Sequence, residues 1–182
     1  MRLIPFFLTL ILFSCGGNEA GVDEELGDSD SSSAGIIEHD LDEERLDAVG
    51  YNNKLNAIIS STLDDIDLLF SSDSSNVEQN LENTLFNLDL NHTAVVETPE
   101  FETEEPFRLS VLELLAFYVN ELNGAFASEV KPILMKGEPS DVDQAYLEEY
   151  DLTFSGKEKG LFDAMMLAQE EFAGKNNIRL SE

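Results

Sequence analysis

The chain has 182 residues, with 38 acidic and 10 basic side chains and a formal net charge of −28 at pH 7. Because a field of this sign repels phosphates and no basic patch exists to pair with them, we expect no nucleic-acid partner. We interpret the acidity mainly as a source of solubility, either in general or in a salty habitat. The alternative interpretation is that it serves one dedicated cationic partner.

Residues 1–14 have the composition of a secretory signal. Arg2 precedes an apolar run from Leu3 to Phe13, which is well short of the roughly twenty residues that a membrane-spanning helix needs. Pro5 within this run also disfavours a long helix. The sequence therefore predicts a signal peptide that is removed, and not a transmembrane anchor.

The end of this segment, Leu12-Phe13-Ser14-Cys15, resembles the lipobox of bacterial lipoproteins. The resemblance implies that the Cys15 thiol is alkylated with diacylglycerol, that cleavage follows, and that the new N-terminus carries fatty acids such as palmitate. At about 0.8 kcal/mol per buried methylene, two or three acyl chains would hold the protein to a membrane. The alternative is a free cysteine in an ordinary signal peptide. Cys15 is the only cysteine, so no disulfide can form within the chain.

Residues 15–35 begin with the lipidated cysteine and continue as an acidic tether. Val22 and Leu26 are its only large apolar residues, so the segment cannot bury enough surface to offset its ordering entropy. A flexible chain of this length spans roughly 25 Å root-mean-square, which would lift the body clear of the lipid headgroups. The body that follows, residues 36–182, is long enough for one domain with its own core.

Two helical stretches open the body. The first is 37–70, in which apolar residues recur three or four positions apart. The second is 76–90, and Ser75 and Glu78 have the spacing of a capping box at its start. A connection is predicted over 91–105.

The third helical stretch opens near Thr103 and continues to Leu134. Pro106 is tolerated in its first turn, because the amide that proline lacks has no partner there. Pro132 is expected to kink or loosen the last turn, and Gly137 is a suitable C-terminal cap.

A fourth helical stretch runs from Ser140 to about Lys175. The four stretches predict an all-α domain, because no segment alternates between apolar and polar residues as a half-buried strand does. Short breaks at 71–75 and 136–140 favour antiparallel neighbours. The simplest arrangement is an antiparallel up-down four-helix bundle with long helices and a shorter second helix. The alternative is a three-helix bundle with the second segment folded across one end.

Four short segments resemble a family of small bacterial helical surface lipoproteins of unknown function. They are Tyr-Asn-Asn-Lys-Leu at 51–55, Val-Leu-Glu-Leu-Leu-Ala-Phe-Tyr at 111–118, Lys-Gly at 136–137 and Ala-Gln-Glu-Glu-Phe-Ala at 168–173. The resemblance implies a lipid-anchored helical domain at the bacterial cell envelope, on the outer membrane or the cell surface. It carries no activity or catalytic residue over to this chain.

The sequence predicts no metal site and no cofactor. A di-metal carboxylate site in a bundle needs Glu-x-x-His on two helices, and neither His39 nor His92 has a glutamate three residues before it. The nearest approach is Asp89-x-x-His92, which we interpret as a solvated helix end. The Asp-x-Asp pairs at 28–30 and 141–143 lack the glycine and the late glutamate of an EF-hand loop, and the second pair suits a helix N-terminus.

No catalytic residue is predicted either. There is no Gly-x-Ser-x-Gly motif, and the one cysteine is assigned to lipid. Adjacent carboxylates, such as those at 148–149 and 170–171, diverge by about 100° on a helix and are typical of solvated faces.

Aromatic residues are concentrated in the last two long helices, where core packing is the first interpretation and an apolar groove or pocket the second. They are Phe107, Phe117, Tyr118, Phe126, Tyr146, Tyr150, Phe154, Phe162 and Phe172. The leading hypothesis is a non-enzymatic, lipid-anchored module that contacts an unknown envelope protein. The alternatives are an envelope ligand-binding protein with an apolar interhelical pocket and, third, an enzyme with an unrecognised carboxylate site.

Overall fold

The structure is a computed structural model that describes residues 46–101 and 105–180. Over these ranges the chain forms helices and no strand, which confirms the predicted all-α fold. The predicted signal peptide, Cys15, the predicted tether and His39 lie outside the described residues, as does the first part of the predicted first helix. None of the helices described has the length and apolar character needed to cross a bilayer.

The helices in chain order are α1 (Ala48–Phe70), α2 (Val77–Glu97), α3 (Pro106–Glu121), α4 (Lys131–Leu134) and α5 (Asp141–Lys175). A π-helical segment, Leu122–Val130, joins α3 to α4. The predicted start of the last helix is confirmed, because the Ser140 hydroxyl accepts a hydrogen bond from the Asp143 amide at 3.2 Å while the Asp143 carboxylate accepts from the Ser140 amide.

The second helix is longer than predicted. It was expected to end at residue 90, but α2 continues to Glu97, so the first seven residues of the predicted connection are helical. Val95, seven residues after Leu88, is also buried and extends the apolar stripe. Thr98 caps the helix, because the proline that follows it disfavours a helical conformation there. The predicted Ser75–Glu78 capping box is wrong: Asn76 is the N-cap residue and makes no side-chain hydrogen bond to the helix.

The third helix is interrupted earlier than expected. The predicted irregularity was at Pro132, but Pro132 lies in the first turn of α4, where a proline is tolerated. The helix departs from regular geometry instead at Gly124, with φ −90° and ψ −109° inside the π-helical segment. Gly137 follows α4 with a φ of 75°, which is the left-handed conformation expected of a glycine cap.

Side-chain hydrogen bonds show how the first two helices pair. Asn91 of α2 donates to the Thr62 hydroxyl of α1 at 3.0 Å, and Asn80 near the start of α2 donates to Ser72 just after the end of α1. Contacts likewise join α2 to α3 and α3 to α5, and α1 also touches α5. The Asn80–Ser72 contact brings the start of α2 to the end of α1, so these two helices run in opposite directions.

The predicted aromatic core is confirmed. Phe107, Tyr118, Phe126, Phe154, Phe162 and Phe172 are buried, and Phe117, Tyr146 and Tyr150 are half-buried against them. Phe70 at the end of α1 completes the cluster, with ring centroids 4.8 Å from Phe154 and 5.5 Å from Phe126. Phe154 is a centre of this packing, with the rings of Phe117, Tyr118 and Tyr150 at centroid distances of 5.2, 6.2 and 6.0 Å.

Candidate functional site

An open groove of about 400 Å³ lies between α2 and α3. Its apolar part is Leu85, Ala116 and Val119, and its polar part is Asp89, His92, Asn120 and Asn123. Leu85 and Val119 are half-buried and form the floor, whereas the other five side chains are exposed.

Helical spacing explains why these residues share one surface. Positions 85, 89 and 92 recur every three or four residues along α2. Along α3 and into the π-helical segment, position 116 is followed by the neighbours 119 and 120 and then by 123, which lie on one helical face. The small side chain of Ala116 leaves a depression between the two helices. Asn123 lies immediately before the kink at Gly124, and π-helical turns are frequent at functional sites.

The structure gives Asp89 and His92 a different setting from the one expected. The sequence predicted a helix end, but α2 continues past them to Glu97, so both residues project from the body of the helix into the groove. Across the groove they face the amides Asn120 and Asn123. In residues 46–101 and 105–180, no three His, Cys, Asp or Glu side chains are grouped closely enough to hold a metal ion. The groove can therefore offer one carboxylate, one imidazole and two amides over an apolar floor.

The charge beside the groove is negative. Helix α2 contains Glu78, Glu82, Asp89 and Glu97 but no lysine or arginine. Arg108, the only cation in the sequence of α3, is already engaged: it pairs with Glu100 at 3.1 Å and donates to the Val95 and Val96 carbonyl oxygens.

A second polar cluster is shared by α1, α3 and α5, and of its four side chains only Tyr118 is fully buried. The Tyr118 hydroxyl donates to the Glu158 carboxylate at 2.7 Å, and burial raises the pKa values of both groups. The negative charges of Asp67 and Asp151 raise the pKa of Glu158 further. Among the residues that the structure describes, this cluster is the nearest approach to the carboxylate site of the third hypothesis. The sequence did not indicate it, because nothing in the local pattern pairs Tyr118 with a residue forty positions later.

Other predicted positions have structural roles. Asp143 of the second Asp-x-Asp pair accepts hydrogen bonds from Lys136 and from Ser140, which lower its pKa to about 2. The paired carboxylates at 148–149 and 170–171 are exposed, as expected. Asp28 and Asp30 lie, like Cys15, outside the described residues.

No protein-family model, curated protein or solved structure shows significant similarity to this chain. Its function is therefore inferred from its own residues.

Proposed function

We propose that the protein is a lipid-anchored component of the bacterial cell envelope, attached through Cys15, whose helical body is a non-enzymatic module that contacts another envelope protein. The observation that carries the contact function is the groove between α2 and α3, since its accessible apolar floor and polar edge are what a partner needs for packing and specificity. The lipobox-like residues before Cys15 support the anchor.

The proposed body is an antiparallel up-down bundle of four helical arms: α1, α2, α3 continued through α4, and α5. In this arrangement the start of α1 lies at the same end as the last turn of α2. The chain would thus enter from the membrane at that end, and Asp89 would lie about 12 Å further along the bundle, eight residues before Glu97. The groove would then face sideways, where a neighbouring envelope protein can reach it.

The resemblance of four short segments to small bacterial surface lipoproteins supports the same proposal. It favours the outer membrane or the cell surface as the location. The tether of residues 15–35 would give the body reach from the bilayer.

Replacing Cys15 tests the anchor. We expect Cys15→Ala protein to leave the membrane fraction or to accumulate as an uncut precursor, whereas Ser61→Ala, an exposed change on α1, should fractionate like wild type. Cys15→Ala protein that matures and sediments with membranes as wild type does would refute lipid attachment.

The groove also supports a second candidate, an envelope ligand-binding protein. Its volume of about 400 Å³ lies within the usual range of small-molecule sites, and four polar side chains border its apolar floor. Native mass spectrometry of the protein released from membranes distinguishes the two: a small molecule that stays bound to wild type, and is lost from Ala116→Gln protein, would favour ligand binding.

A further inference from the structure

The groove is the middle of a longer accessible strip between α2 and α3, here called the α2/α3 seam. On α2 the seam residues are Leu85, Asp89, His92 and Val96, and on α3 and the start of the π-helical segment they are Leu109, Leu112, Ala116, Val119, Asn120 and Asn123. Val96 and Leu109, one end of the seam, are each about half exposed, at 50% and 49%. The exposed apolar surface therefore continues beyond the groove towards the last turn of α2.

The spacing of the seam residues matches the surface against which another helix packs. Positions 85, 89, 92 and 96 are separated by four, three and four residues, and 109, 112, 116, 119 and 123 by three, four, three and four. This alternation is the one that coiled-coil partners use to insert side chains between neighbouring helices. From Leu85 to Val96 the strip is about 16 Å long, or three helical turns. An added helix of that length would lie in the depression above Ala116.

Charge selects which kind of helix fits. At one end of the seam Arg108 is paired with Glu100, and at the other end Lys131 is paired with Glu78 at 3.4 Å. Between these two pairs α2 contributes only acidic charge, from Glu82 and the exposed Asp89. A helix with lysine or arginine beside its apolar face would complement this surface, whereas an acidic helix or an anionic bilayer would be repelled.

The rest of this chain does not supply such a helix. Residues 15–45 contain one cation, Arg45, against eleven carboxylates, and a second copy of a chain with a net charge of −28 would bring more acid to an acidic surface. We infer that the α2/α3 seam binds a cationic amphipathic helix from another protein, with apolar side chains against Leu85, Ala116 and Val119 and a cation at Asp89. This inference rests on the proposed function, since it names the class of partner.

The test uses the full chain and a labelled helical peptide of about four turns, with leucine at helical spacing and lysine on both flanks. One control peptide has glutamate in place of lysine, and another alternates the same leucines and lysines so that no helical apolar face forms. Binding is measured by fluorescence anisotropy at low and high salt, and a photoreactive group in the peptide marks the surface it contacts. Protein-free phosphatidylcholine vesicles serve as a blank if the chain is held in vesicles.

Two variants and their matched controls make the site specific. Asp89→Asn should raise the Kd about threefold, as expected for a partly exposed ion pair, while Asp64→Asn, an exposed position on α1, should not change it. Ala116→Gln should raise the Kd about tenfold by filling the depression, while Ala164→Gln, exposed on α5, should have no effect.

Cross-links within residues 85–96 and 109–123, together with these differences, would support the inference. It is overturned if the glutamate peptide binds equally well, if both Asp→Asn variants weaken binding equally, if cross-links lie elsewhere, or if only the vesicles bind peptide. These measurements report only where and how tightly the peptide binds to the helices. A negative result would leave the Cys15→Ala test of the anchor unaffected, and a negative anchor test would leave the inference about the seam unaffected.

Discussion

The Tyr118 hydroxyl donates a hydrogen bond of 2.7 Å to Glu158, which joins the last turn of α3 to the middle of α5. The tyrosine is fully buried and Glu158 is half-buried. Such a hydrogen bond contributes mainly through the cost of removing its donor, because the half-buried carboxylate then loses its protein partner.

We therefore expect Tyr118→Phe to lower the free energy of unfolding by about 1–3 kcal/mol. Tyr146→Phe is the matched control, since Tyr146 donates to Glu129 at the surface of the body, and it should cost less than about 0.5 kcal/mol. Urea unfolding followed by circular dichroism measures both. Equal losses from the two variants would mean that the Tyr118–Glu158 bond has no special weight.

The raised pKa of Glu158 predicts a pH dependence of stability. Burial is the main cause; the hydrogen bond from Tyr118 opposes it, and the charges of Asp67 and Asp151 add to it. Since the folded protein holds this proton more tightly than the unfolded chain, the contribution is fully present below the unfolded pKa, near 4.3, and is lost as the pH rises through the folded pKa. The melting temperature should therefore rise when the pH is lowered from 7 to 5.

Substitution of Glu158 separates this contribution from the general relief of acidic repulsion. Glu158→Gln should gain less on acidification than wild type, whereas Glu149→Gln, an exposed change on the same helix, should gain as much. A gain in Glu158→Gln equal to that of wild type would assign the whole effect to overall charge.

An amide cluster couples α1 to α5. The buried Gln169 donates to the Asn52 and Asn56 side-chain oxygens, each at 3.0 Å. Gln169→Leu would leave both oxygens without this donor, and we expect a loss of about 1–3 kcal/mol in unfolding free energy. Gln79→Leu, which removes an exposed hydrogen bond within α2, should change stability by less than about 0.5 kcal/mol, and chemical denaturation of the two variants compares them.

Two glycine substitutions should act in opposite directions. Gly137 has a positive φ, so Gly137→Ala should destabilise by about 1 kcal/mol. Gly160 lies within α5 with open space around the position of a Cβ, so Gly160→Ala should stabilise by about 0.5–1 kcal/mol. Thermal melts of both variants test the pair, and a stabilised Gly137→Ala would show that the turn after α4 is not held as described.

The sequence predicts those parts of the fold that depend on nearby residues. Helical periodicity identified the all-α class, and local hydrogen bonding identified the start of α5 at Ser140 and the turn at Gly137. The extension of α2 was missed because Val95 follows Leu88 by two full turns, with mainly polar residues on the buried side between them. The kink at Gly124 was missed because one glycine in a helical pattern is compatible with an uninterrupted helix.

The groove could be predicted only in part. The Asp89–His92 spacing was visible, but Leu85 and Ala116 are separated by thirty-one positions, and only the pairing of α2 with α3 makes them neighbours. The same applies to Tyr118 and Glu158. Which residues of distant helices become neighbours depends on how all the helices pack together, and local sequence patterns do not determine this.

Attachment through Cys15 is the claim on which the proposed location and function depend. The most direct measurement is intact-mass and N-terminal peptide mass spectrometry of the mature protein purified from membranes. We expect a chain that begins at Cys15 and carries the added mass of a diacylglyceryl group and fatty acyl chains. A mature chain with an unmodified Cys15 thiol, or one that retains residues 1–14, would contradict it.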